Sequence, residues 1–401
     1  MNAKKSGATL SLVILSFVAF IALGMPDGLL GVAWPSIRST FELPLDALGT
    51  LLFGLTSGYL LASFSNGWLM EKFGVGKLLG ASTLLTATAL AGYTVSPAWW
   101  AMIPFGFLAG LGAGGIDASL NAWVEAHLSP RIMQWLHASF GIGITSGPLI
   151  MTAGIARSGS WRTGYWIVAA AQLTLGLIFL ARARLWDNAP KAPHYEEETA
   201  SGAVPVPFAQ TLRNPASWLS GSLFFVYVGI ELGMGYWAFT WLSTALALSA
   251  TIAGIWTAAY WAAFTVGRIV AGALAHRLSP TRLLSVSISA VVTVTLALAA
   301  VPVREAKIAG ILLLGLAIAP IFPSMVSTTS KRVGREHAGS TIGMQMAMAG
   351  LGVGIVPGLM GVIAKRFGLD LIPWMIALCA LLLAAITLSF RARVAKREGK
   401  E

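Results

Sequence analysis

Three carboxylates lie in almost wholly apolar sequence: Asp27 in ALGMPDGLLGVAW, Asp117 in GLGAGGIDASLNAW and Glu231 in FFVYVGIELGMGYW. An acid at the centre of a membrane helix costs about 2.5–3.5 kcal/mol, so such a residue must face a partner or a cavity. The chemistry open to it there is reversible protonation, which removes the charge that makes burial costly. Asn121 follows Asp117 by four residues and Tyr227 precedes Glu231 by four. That spacing sets each acid beside a hydrogen-bonding group on one helical face. Trp237 and Gln345, with Trp34, Trp123 and Tyr260, add indole faces and polar ends able to meet a polar solute.

The elements that must position these groups follow from composition. Of 401 residues 56% are hydrophobic and 11% charged, and the mean hydropathy is +0.75. That balance excludes a soluble chain, a disordered one and a secreted disulfide scaffold. The excess of 27 Lys and Arg over 16 Asp and Glu does not call for nucleic acid, because membrane proteins gather positive charge in their cytoplasmic loops. Cys379 is the only cysteine, so neither an intramolecular disulfide nor a thiolate metal cage can be built.

A helix needs about 20 apolar residues to cross about 30 Å of hydrocarbon. Twelve such stretches are predicted, near 10–37, 47–70, 78–97, 100–127, 132–156 and 161–182, then near 215–245, 250–275, 283–302, 307–329, 338–364 and 371–390. The first run passes twenty residues without an A-x-A-like cleavage site and reads as a retained helix. An even count places both termini on one side. Nineteen Lys and Arg fall on that side and seven opposite, which makes the termini cytoplasmic. Arg268 alone lies within a span, where it is expected to snorkel or to pair with a neighbouring half. The stretch from Arg182 to Pro215, with Pro190, Pro193, Glu196, Glu197, Glu198, Pro205 and Pro207, reads as a linker. The predicted organisation is an all-α membrane protein: a six-helix bundle over 1–182, a cytoplasmic linker over 183–214 and a second, pseudo-symmetric six-helix bundle over 215–401.

The second span ends in GWLMEKFGVGK, from Gly67 to Lys77, and the eighth in GALAHRLSPTR, from Gly272 to Arg282. The strings align without a gap, Leu69 with Leu274, Lys72 with Arg277 and Lys77 with Arg282, at a shift of 205 that also carries the start of the first span to that of the seventh. Asp27 and Glu231 lie at nearly equal depths in those two spans. Such a repeat marks a transporter whose binding site lies near the membrane midplane. Here the chain resembles the major facilitator superfamily, whose loop signature G-x-L-x-D-R-x-G-x-x-R is met by Gly67, Leu69, Glu71, Lys72, Gly74 and Lys77. The resemblance implies the major facilitator fold and a gating charge cluster of Gly67, Glu71, Lys72, Lys77, Gly272, His276, Arg277 and Arg282 that holds the halves together in one state. His276 stands where the second copy should carry its acid, which weakens that latch or makes it pH-dependent.

The string GAGGIDASLN is similar to the fucose/galactose/glucose:proton symporter branch, in which G-x-G-x-x-E-x-x-x-N carries a carboxyl with a part in proton coupling and sugar binding. Asp117 takes the carboxyl position, with Asp for Glu, and Asn121 the amide position. Asp27 matches an acid in that branch's first helix, and WLHASFGIG from Trp135 is also similar to it. On this reading protons bind at Asp27, Asp117 and Glu231, and a sugar-like solute meets Asp27, Asp117, Asn121, Tyr227, Glu231, Trp237 and Gln345. His137 reads as a packing or capping residue. Gly143-x-x-x-Gly147-Pro148 resembles part of the antiporter signature g-x-x-x-G-P-x-x-G-G, with Met151 and Thr152 in place of its terminal glycines. Gly110, Gly112, Gly114 and Gly115 predict close helix packing or local unwinding, and Pro320 with Ile321-Phe322-Pro323 predicts a broken tenth helix.

No string meets G-x-x-x-x-G-K-[ST], so ATP-driven pumping is not expected. H-E-x-x-H and G-x-S-x-G are absent and the five histidines supply no metal pair, so no enzyme chemistry, cofactor or metal is expected either. The sequence predicts a monomeric secondary transporter of the inner membrane, working by alternating access and moving a sugar or similar small polar solute by proton symport. The alternative is a proton-driven exporter of amphipathic drugs or metabolites; a sensor that binds without flux is a third class.

Overall fold

A computed structural model describes residues 2–128, 130–187, 189, 206–274 and 277–398, and all regular structure among them is helical. The first six long helices are α1 (Asn2–Thr40), α2 (Leu48–Phe73), α3 (Val75–Val95), α4 (Trp99–His127), α5 (Pro130–Ser158) and α6 (Arg162–Ala181), followed by the short α7 (Ala183–Asp187). After α8 (Phe208–Arg213) come α9 (Pro215–Thr240), prolonged by a π-helical turn over Trp241–Ala245, α10 (Ala250–Leu274), α11 (Pro280–Ala300), α12 (Arg304–Ile318), α13 (Ile321–Ser327), α14 (Thr329–Val333), α15 (Arg335–Phe367) and α16 (Ile372–Glu398). His276 and most of the linker lie outside the described residues. Contacts divide the chain into Met1–Ser201 with Ser249–Ala258, and Gly202–Leu248 with Ala259–Glu401.

The helix limits fall within a few residues of the predicted spans, except that α1 begins eight residues early, at Asn2, and α16 runs eight residues further, to Glu398. Eleven spans among the described residues are long and apolar enough to cross a membrane. The twelfth, α10, has 25 residues, but Thr257, Tyr260, Thr265 and Arg268 dilute its apolar character. The tenth span breaks where the prolines predict: α12 ends at Ile318, the chain turns through Ala319 and Pro320, and α13 begins at Ile321.

The two units repeat one packing scheme. The first helix packs on the fifth (α1 on α5) and the third on the sixth (α3 on α6); in the second unit α9 packs on α15 and α11 on α16 in the same way. In lipid no hydrophobic drive holds helices together, so close backbone approach must. A Cβ at Gly110 would overlap the Leu55 carbonyl, and one at Gly114 would stand 2.5 Å from the Tyr59 carbonyl. α4 is helical throughout, so these glycines serve packing and not unwinding. Gly143 and Gly147 act likewise between α5 and α1, where a Cβ at Gly147 would lie 2.6 Å from the Met25 carbonyl. That role accounts for the partial antiporter string. Gly110→Leu is expected to abolish the monodisperse peak on size exclusion in detergent, whereas Gly339→Ala, at a glycine with open space beside it, leaves the peak unchanged.

One buried amide repairs the backbone beside Asp27. Pro26 has no N–H, so the Ala22 carbonyl loses its helical partner. Gln172 of α6, fully buried, donates Nε2 to that oxygen at 2.7 Å. Gln172→Leu strands the carbonyl and costs about 1–3 kcal/mol, to be read as a lowered thermal midpoint; an unchanged midpoint would deny Gln172 this role.

Candidate functional site

In the first unit the polar residues converge where α2 crosses α4. Gly58, Gly110 and Gly114 let the two backbones meet, which brings the Tyr59 hydroxyl to donate to Asp117 Oδ2 at 2.5 Å. Asn121 donates Nδ2 to Asp117 Oδ1 at 2.8 Å and to the Asp117 carbonyl at 2.9 Å. Both carboxylate oxygens are therefore engaged, each by a neutral donor. Asp27 on α1 is partly buried, interacts electrostatically with Tyr59 and Tyr93, and lines a cavity of about 20 Å³ with Pro26, Tyr93 and Tyr165. Further along the same crossing Ser119 donates to Asn66 Oδ1 at 2.7 Å. The predicted trio Asp27, Asp117 and Asn121 thus gathers around Tyr59. No sequence signal marks Tyr59, because its partner lies 58 residues away and the crossing sets the meeting.

In the second unit Glu231 is buried at 7% exposure. Tyr227, one turn earlier on α9, lies beside Glu231 and Arg268, yet its buried hydroxyl closes no hydrogen bond of normal length. The Tyr260 hydroxyl of α10 donates to the Glu231 carbonyl at 2.9 Å. Phe322, just past the break in the tenth span, packs its ring 5.9 Å from that of Tyr227 and 5.2 Å from that of Phe224. Arg268, expected to snorkel or to pair with the neighbouring half, meets partners of its own unit. Its guanidinium lies over the Phe264 ring at 4.3 Å and is the cation within electrostatic reach of Glu231. The aromatic platform one turn earlier and the opposite charge on α9 hold it inward.

Trp237 and Gln345 each have hydrogen-bond partners of their own. Trp237 is fully buried and donates Nε1 to the Pro357 carbonyl at 2.9 Å, tying α9 to α15. Gln345, also fully buried, donates to Ser220 Oγ at 2.8 Å and to Thr329 Oγ1 at 3.0 Å. Arg332 joins that network through Ser220, Thr328 and the Met325 carbonyl. Burial pushes its guanidinium down to about 10, still charged at neutral pH. Trp123 donates Nε1 to the Trp186 carbonyl at 3.2 Å, Trp34 packs against Trp99, and His137 meets the edge of Phe20.

A helical chain with eleven membrane-length apolar helices among the described residues, repeated packing, a loop signature and acids inside its spans calls for comparison with known proteins. The family model of the Major Facilitator Superfamily matches residues 12–343 and 238–401. The chain belongs to the major facilitator superfamily. It is 23% identical over 408 residues to the Saccharomyces cerevisiae Bypass of stop codon protein 6, covering 94% of this chain and 81% of that one. It is 22% identical over 355 residues to the glucose/mannose transporter GlcP of Bacillus subtilis, covering 87% and 86%. The crystal structure of a D-xylose-proton symporter shares the fold, with a TM-score of 0.75 at 14% identity over 95% of this chain and 98% of that one. The protein is a multi-pass membrane protein with the fold of transporters.

The superfamily's loop signature has a defined local structure here. Gly74 ends α2 and opens α3 at φ +80°, ψ 155°, a conformation that L side chains rarely adopt. The Asp187 carboxylate of α7 lies 2.7 Å from where a Cβ on Gly74 would stand. Glu71, Lys72 and Lys77 are exposed, with the Lys72 ammonium 4.8 Å from the Trp68 ring centroid. In the second copy Ser279 takes the position of Gly74. It adopts φ −63° and caps α11 by accepting from the Arg282 N–H, so that turn needs no glycine. Gly67 and Gly272 face open space, and Arg277 and Arg282 are exposed.

Proposed function

We propose that the protein is a proton-coupled symporter of a sugar-like polar solute, a monomer of the inner membrane with both termini in the cytoplasm. The observation that carries this reading is Asp117, held inside its span by two neutral donors, Tyr59 and Asn121, with Asp27 in reach of the same tyrosine. Such a carboxyl can alternate between binding a proton and accepting hydrogen bonds from solute hydroxyls. Neutralising it removes the cost of occluding it, so the occupied protein is free to change access. Asp27 and Asp117 take the proton and meet the solute from the first unit, and Glu231 with Tyr227 serves from the second. Trp237 and Gln345, whose polar atoms are already spent within the second unit, hold helices together. The loop cluster around Gly67, Glu71, Lys72 and Lys77 and its second copy act as the cytoplasmic gate. Likeness to a glucose/mannose transporter supports the solute class.

The test is uptake of labelled hexoses into proteoliposomes with an inward proton gradient and without one. Gradient-stimulated accumulation supports symport; absence of uptake together with substrate-induced proton release turns the assignment to an exporter. Tyr59→Phe removes one of the hydrogen bonds to Asp117 and is expected to lower gradient-driven uptake about tenfold. Wild-type uptake in that variant would exclude Tyr59 from the site.

A further inference from the structure

We infer that Ser63 is a proton-relay residue: it and Tyr59 form the hydroxyl chain through which Asp117 exchanges its proton with the side of the membrane that carries the Gly67–Lys77 loop. The inference rests on the transport reading above and supplies the route that its proton takes.

The chain is built along α2. The single hydrogen of the Tyr59 hydroxyl is donated to Asp117 Oδ2, and the same hydroxyl is hydrogen-bonded to Ser63, one turn nearer the loop. With its hydrogen already committed, Tyr59 can only accept from Ser63. Ser63 therefore donates to Tyr59 and Tyr59 to Asp117, so both hydroxyls point their hydrogens toward the carboxylate. A serine inside a helix commonly turns its hydroxyl back on the carbonyl four residues earlier. Ser57 and Ser65 of the same helix do so, donating to the Phe53 and Leu61 carbonyls at 2.8 and 2.7 Å. The Ser63 hydroxyl goes instead to a side chain that touches the acid. One turn beyond Ser63 the helix reaches Gly67, which is exposed and has open space where a Cβ would stand, and a further turn brings the exposed Glu71.

The other polar groups around Asp117 do not offer such a path. Asn121 holds Oδ1 through an amide N–H, which donates but does not take up a proton and pass it on. Ser119 spends its hydrogen on Asn66 Oδ1, and the Asn66 amide ends on the Met70 thioether at 3.1 Å, so that line closes within the crossing of α2 and α4. A hydroxyl, by contrast, accepts one hydrogen while it releases another. A hydronium ion that delivers its proton to the Ser63 oxygen forms a new O–H bond there as the original hydrogen passes to Tyr59 Oη. The tyrosine hydrogen passes in turn to Asp117 Oδ2. Each O–H bond that breaks, from the hydronium ion onward, is matched by one that forms. Both hydroxyls end neutral and Asp117 has gained the proton; release runs the same steps backwards.

The experiment compares Ser63→Thr with Ser63→Val in proteoliposomes, two side chains of one shape that differ in the hydroxyl. Two rates are read in each with the labelled hexoses of the uptake panel. One is net uptake driven by an inward proton gradient, which requires the proton to enter and leave; the other is counterflow of preloaded solute, during which the proton stays bound. Net uptake should fall about tenfold in Ser63→Val and stay close to the wild-type rate in Ser63→Thr, with counterflow equal in both. Ser65→Ala, at a hydroxyl spent on its own backbone, should change neither rate. Equal net uptake by Ser63→Val and Ser63→Thr overturns the relay and leaves the symport reading standing. Loss of counterflow together with uptake in Ser63→Val alone makes the hydroxyl a contact of the solute and overturns the relay as well. Counterflow without gradient-stimulated uptake in the unsubstituted protein, or no flux at all, defeats the transport reading itself. Where neither branched variant folds, Ser63→Ala set against Ser65→Ala gives the same two readings.

Discussion

Asp117→Asn is expected to abolish accumulation of solute against a gradient while sparing exchange of solute across the membrane. The substitution keeps the size of the side chain and an oxygen to accept from Tyr59 or Asn121, but it removes the group that gains and loses the proton. A carrier locked in the neutral form can still bind and change access, because the step that protonation makes possible is then always permitted. The accumulation ratio under an imposed proton gradient should fall to about one, with counterflow of preloaded solute persisting. Both are read in one set of proteoliposomes. Unchanged concentrative uptake would remove Asp117 from coupling and pass the role to Asp27 or Glu231. Loss of both activities would make Asp117 a binding residue whose charge the solute itself requires.

Separate substitutions at Glu231 and Arg268 should each damage the protein more than the pair of substitutions together. Glu231→Gln leaves the guanidinium of Arg268 without its countercharge, and Arg268→Gln leaves a carboxylate buried at 7% exposure. Breaking a buried pair from one side costs about 3–5 kcal/mol when the partners touch. Here they interact without a direct ion pair, so about 2–3 kcal/mol is the scale to expect. The double variant replaces both charges by neutral amides of similar shape and should recover most of the thermal midpoint in detergent, without recovering transport. Additive losses in this cycle would show that the two residues are independent, and the assignment of Arg268 as the countercharge would fall.

Much of the architecture was legible in the chain because the bilayer imposes a length on every apolar segment and cannot solvate an open backbone. That constraint alone located the spans to within a few residues, and Pro320 located the break in the tenth. The matching loops at Gly67–Lys77 and Gly272–Arg282 announced two related halves, and the structure shows the same pairings of helices in each. The acids were legible for the same reason as the spans: a carboxyl in apolar sequence has no inexpensive place to go. Their companions at a spacing of four, Asn121 and Tyr227, were readable from the helical repeat, which holds whatever the helix packs against.

The sequence by itself therefore determined what depends on one helix at a time: span length, a break at proline, an acid in each of three spans and its neighbour one turn away. Only the tertiary structure decided what depends on how one helix is rotated and how closely another approaches it. It placed Tyr59 on Asp117 because Gly58, Gly110 and Gly114 let α2 and α4 touch. It set Arg268 within electrostatic reach of Glu231 in its own unit, where position along the span left open whether it snorkels or pairs with the neighbouring half. It gave Trp237 a partner in the Pro357 carbonyl and Gln345 partners in Ser220 and Thr329, none of them legible in the chain. Hydropathy is a sum along one segment and carries no information about azimuth, whereas a hydrogen bond between helices depends on azimuth and separation together.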